Sequence, residues 1–151
     1  MNKKIGVLLP FKDNFTRSKA GSASIWIKDF NRKSSYKKNI YVCGNTDNLK
    51  DLIEKKNYLN IKFSDSNFQS KNKLYIDAFI KLYSKYKFAL VEVHNRPSYV
   101  HRLIEKKINS KIVLIFHNNP LNLRGSKTVE ERNILIEKCE KLIFVSNWVK
   151  E

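Results

Sequence analysis

Two cysteines, four glycines and three prolines are all that 151 residues hold of these types. Cys43 and Cys139 stand far apart and share no metal-ligand spacing, which leaves no basis for a disulfide framework or a zinc site. Both are expected to be packing residues in a reducing cytosol. The scattered glycines form neither a Gly-x-Gly-x-x-Gly dinucleotide loop nor a Walker loop. No apolar run approaches the roughly 20 residues of a membrane-spanning helix. The opening Met1-Asn2-Lys3-Lys4 and Ile5–Leu9 mimic a signal peptide, but Pro10-Phe11-Lys12-Asp13 cuts the run short and no small-residue cleavage site follows. Internal repeats, linkers and low-complexity tracts are also missing. One domain over residues 1–151 is expected, long enough to bury its own core.

Acidic residues are scarce as well: 14 against 30 basic ones, a formal charge of +16. Such an excess attracts polyanions, whether nucleic acid, anionic lipid or phosphorylated substrates. Only six of the basic residues are arginine (17, 32, 96, 102, 124 and 132), and the lysines spread along the whole chain. The charge therefore permits a membrane surface without singling one out. Helix-turn-helix, zinc-finger and RNA-sheet signatures are lacking, and the aromatics follow core periodicity, so no nucleic-acid partner is expected.

What is present is alternation. Strands are expected at Lys4–Leu9, Asn39–Cys43, Tyr58–Phe63, Ala89–Val93, Lys111–Phe116 and Lys141–Val145. Helices are expected at Ser22–Phe30, briefly from an Asp47 cap through Lys55, at Gln69–Tyr86, Pro97–Lys107 and Thr128–Lys138. Short, continuously apolar strands alternating with helices predict a mainly parallel sheet covered on both faces, an α/β three-layer sandwich.

Two of these strands break off at His-Asn. Ala89–Val93 runs into His94-Asn95-Arg96-Pro97, and Ile112–Phe116 into His117-Asn118-Asn119-Pro120. Open parallel sheets bind ligands beyond the carboxyl ends of their strands, where these polar groups fall. An imidazole there can exchange a proton or hydrogen-bond a sugar hydroxyl or phosphate. Arg96 and Arg124 share the predicted rim and could grip phosphate or carboxylate. Glu92, inside an apolar strand, needs a partner, which a strand-end His or Arg would supply. His101 falls within a helix and is expected at the surface. The loop from Pro10 to Gly21, with Arg17, Ser18, Lys19 and then Ser22 at a helix start, is a weak generic anion signal.

Together Ile5–Pro10, Gly21-Ser22-Ala23-Ser24, Val91–Pro97, Ile115–Leu121 and Glu131-Arg132 leading to Ile143–Lys150 resemble the amino-terminal domain of family 4 glycosyltransferases, retaining enzymes of the two-domain GT-B fold. The resemblance implies a Rossmann-like domain and transfer of a sugar from a nucleotide-sugar to a glycan or lipid-linked acceptor in polysaccharide or lipopolysaccharide synthesis. No metal or other cofactor is implied. By match, His117 would be the catalytic residue nearest the reacting sugar, and Gly21 and Ser22 would border the donor phosphates. His94, Asn95, Arg96, Asn118, Asn119 and Arg124 would shape the acceptor side. One glycine stands in the first loop where the family has two. No segment matches the family's carboxyl-terminal, donor-binding domain, so negligible turnover is expected of this polypeptide alone. The expected setting is cytoplasmic, peripheral on an anionic inner membrane. The alternatives are a non-catalytic subunit that lends its cleft to a separate donor-binding chain, and a basic nucleic-acid-binding module.

Overall fold

The computed structural model describes residues 3–150. The elements run β1 (Ile5–Leu8), α1 (Ser22–Lys33), β2 (Ile40–Gly44), β3 (Tyr58–Asn60), α2 (Lys71–Tyr86), β4 (Leu90–His94), α3 (Pro97–Glu105), β5 (Lys111–Phe116), α4 (Val129–Lys138), β6 (Lys141–Phe144) and α5 (Asn147–Lys150). The six strands lie in the order β3-β2-β1-β4-β5-β6, and every neighbouring pair is parallel. This is a Rossmann-like α/β sandwich. The chain builds outward from β1 to β3, returns through α2 and builds outward again from β4. Between β1 and β4 the direction of winding reverses, the position at which open parallel sheets bind ligands beyond the carboxyl ends of their strands.

Side chains alternate across a strand, so each strand feeds two cores. Leu8, Cys43, Val91, Val93, Leu114 and Phe116 point to the side covered by α2, α3 and α4, where they meet Tyr75, Phe79, Tyr99 and Leu103. Val7, Leu9, Ile40 and Val42 point the other way, onto Ala23 and Ile27 of α1. Cys43 sits in the larger core with no exposure, and burial pushes its thiol well up. Cys139 is partly buried at the end of α4, its thiol raised to about 11 by the same desolvation.

Local chemistry sets the helix starts. Ser70 accepts from the Lys73 amide at the head of α2, and Pro97 opens α3. Thr128 and Glu131 form a reciprocal capping box on α4. The expected helix from Asp47 through Lys55 is instead one 3₁₀ turn, Leu49–Asp51, capped by Asn48 rather than Asp47. The reason is tertiary: Arg17 N donates to Asp51 O at 2.9 Å and Ile53 N to Phe15 O at 3.1 Å, tying this segment to the first loop. β3 is shorter than expected and ends at Asn60, whose carboxamide turns aside to accept from the Thr46 amide at 2.9 Å. Between β2 and β3 stands only that 3₁₀ turn, so on this face α1 is joined by Phe15 and Leu52 rather than by a second long helix among the described residues. Ile143 and Val145, at the β6 margin, are about two-fifths exposed (37% and 41%).

Candidate functional site

Register explains the site. β4 and β5 pair with His94 beside Ile115, and the next same-facing position of β5 after Ile115 is residue 117. Glu92, two residues before His94, shares that face. The three polar side chains therefore meet in a row on the α1 side of the sheet. His94 Nε2 lies 2.6 Å from Glu92 Oε1, and His94 Nδ1 lies 2.9 Å from His117 Nε2. His94 has no exposure, so it cannot touch a ligand; His117 is partly buried and lines an open crevice of about 590 Å³. Trp26, from α1, packs against both imidazoles, with ring centroids 5.3 Å from His94 and 6.3 Å from His117. Burial, and then His94, lower the His117 pKa to about 4, leaving it uncharged at neutral pH. Ser22 and Lys33 line the same crevice.

Asn95 builds the turn after β4. Its backbone takes a left-handed conformation (φ 53°), which asparagine tolerates, and its carboxamide accepts from the amides of His117 and Asn118 at 3.3 and 3.2 Å. The histidine segments of two strands are thus locked together by one side chain.

The first loop crosses the rim. Phe11 packs against Phe63 and Tyr75 on the α2 side, while Phe15 enters the α1 core. Between them Asp13 turns its carboxylate to the head of α1, accepting from the Gly21 and Ala23 amides at 3.2 Å each and from the Ser24 hydroxyl. The Gly21 amide, expected to border the donor phosphates, is thus satisfied within the chain, together with the Ala23 amide and the Ser24 hydroxyl. Ser22, the first residue of α1, reaches the crevice.

Comparison with family models, curated proteins and solved structures gave no match.

Arg96 and Arg124 are not in the His117 crevice. With Lys73 and His101 they line a separate cavity of about 540 Å³ between α2 and α3, and Asn95 is the link between the two places. Arg102 also borders this cavity, but its guanidinium is held by Asp77 and Glu105, with contacts of 2.8 Å to each. His101 is not a free surface residue: its Nε2 meets the Gly125 carbonyl at 2.7 Å. Gly125 is required there, because at φ 92° an added Cβ would sit 2.5 Å from the Ser98 nitrogen. Asn118 is exposed, and Asn119 uses its carboxamide to cap the Pro120–Asn122 turn. Among the described residues no cluster of three His, Cys, Asp or Glu side chains is arranged to hold a metal.

Reading the sequence alone missed Asp13 and Trp26. Trp26 lies four residues after Ser22, one helical turn along the same face, a spacing that could have pointed to it. Nothing local marks Asp13, whose partners are eight to eleven residues away.

Proposed function

We propose that this chain is the acceptor-holding half of a nucleotide-sugar-dependent glycosyltransferase of the family 4 type. It would serve a glycan or lipid-linked acceptor in cell-surface polysaccharide synthesis, on the cytosolic side of an anionic membrane. The observation that supports this reading best is the uncharged His117, held by His94 at the carboxyl rim of the sheet over a crevice large enough for a sugar ring. A neutral imidazole can orient a hydroxyl without drawing in free anions, the requirement for holding a sugar beside a developing charge. In this reading Ser22 stands nearest the donor phosphates, with Gly21 holding the loop. Arg96 and Arg124, in their own cavity, take an anionic group on the acceptor, and Asn95 couples that cavity to His117. Asn118 and Asn119 shape the loop between them. A separate donor-binding chain or domain completes the cleft.

The test is saturation-transfer NMR on the full chain with neutral oligosaccharides, glycosyl phosphates and nucleotide-sugars. Saccharide protons are expected to receive saturation that His117→Gln abolishes, and Arg124→Ala is expected to weaken glycosyl phosphates at least about tenfold while sparing neutral sugars. Silence from every saccharide, or tight oligonucleotide binding with a steep salt slope, would overturn the reading.

A further inference from the structure

The row Glu92–His94–His117 has a direction. An ionised carboxylate can only accept a hydrogen bond, and a neutral imidazole has one donor and one acceptor nitrogen. Glu92 Oε1, 2.6 Å from His94 Nε2, therefore requires the proton of His94 to stand on Nε2. The His94 Nδ1 left bare must accept, and its partner at 2.9 Å is His117 Nε2, which must then donate. We propose that Glu92 and His94 are positioning residues that fix the His117 proton on Nε2 and leave its Nδ1 as a bare acceptor toward the crevice.

Three observations support this. Among the described residues His117 Nδ1 has no partner, and the buried side-chain polar atom left unpaired there is Asn31 Oδ1, so Nδ1 meets the open crevice. His94 is fully buried and pinned by Trp26, so neither ring can turn freely to reverse the order. The depressed His117 pKa keeps a second proton off that ring at neutral pH. The charged groups acting on it are Glu92 and Asp13, with Asp29 and Lys33 along the crevice wall.

A bare nitrogen takes a hydroxyl or amide hydrogen and repels a phosphate oxygen. Resting on the glycosyl-transfer reading, His117 then accepts from a sugar hydroxyl and contributes nothing to gripping the donor diphosphate.

The experiment is long-range ¹H–¹⁵N correlation on the full chain labelled at histidine, at neutral pH, which reports the nitrogen that carries each proton. Wild type is expected to show His117 as a single Nε2–H tautomer. Glu92→Leu removes the acceptor that sets the direction and is expected to bring up the Nδ1–H form; Glu92→Asp is expected to restore the wild-type tautomer in part, which a merely structural role would not do. If Glu92→Leu fails to fold, Glu92→Gln, whose amide can donate to His94, gives the same comparison. A wild-type proton on Nδ1, or a tautomer indifferent to residue 92, overturns the proposal. The readout needs no sugar: a correct tautomer without saccharide binding sinks the glycosyl-transfer reading alone, and a reversed tautomer with binding intact sinks this proposal alone.

Discussion

His117 ties stability to acidity through its depressed pKa. The unfolded imidazole takes a proton near 6.5, whereas the folded one resists until about 4. Between those values the unfolded chain binds the extra proton, so stability is full above pH 6.5, falls as pH drops toward 4 and levels below. Urea midpoints across that window are expected to fall for wild type and to fall less steeply for His117→Gln. A variant with the same slope as wild type would exclude burial of His117 as the cause. At this scale the sequence was readable where chemistry repeats: two strands ending in His-Asn announced a shared edge, and Glu92 in an apolar run announced a buried partner. It was unreadable where partners come from far along the chain. Arg96 and Arg124 follow the right strands, yet they turn to the α2–α3 side, which strand-end position alone does not encode.

Among the elements, those with their own periodicity and caps were legible, because their instructions are local. Thr128 with Glu131 is one such instruction: each satisfies backbone donors at the start of α4. Thr128→Ala is expected to cost about 1 kcal/mol of stability by denaturant titration, with saccharide contacts unchanged. Restoration by Thr128→Ser, and not by Thr128→Val, would assign the loss to the hydroxyl. The Leu49–Asp51 turn shows the opposite case. Asp47 offers a cap that is not used, because Phe15 and Arg17 draw the following residues into backbone pairing with the first loop. Tertiary contacts there override local propensity, and a single chain read alone carries no sign of them.

For the molecule as a whole, composition and strand–helix alternation were enough to predict the parallel sandwich, since each buried strand is short and apolar throughout. Helices cover both faces as expected, α1 on one and α2, α3 and α4 on the other. No helix among the described residues is long and apolar enough to cross a membrane. In the proposed function, contact with lipid acts through surface charge. With +16 spread over 151 residues, binding to vesicles rich in anionic lipid is expected to weaken sharply between about 50 and 300 mM salt, as screening shortens from roughly 14 to 6 Å. Equal retention on neutral vesicles, by co-sedimentation, would remove the membrane from the proposal. Trp148 is 72% exposed, whereas Trp26 rests against the paired imidazoles. Light emitted from these two rings will differ in colour, and charging His117 will dim the bluer one, so the crevice carries its own optical gauge and needs no attached dye.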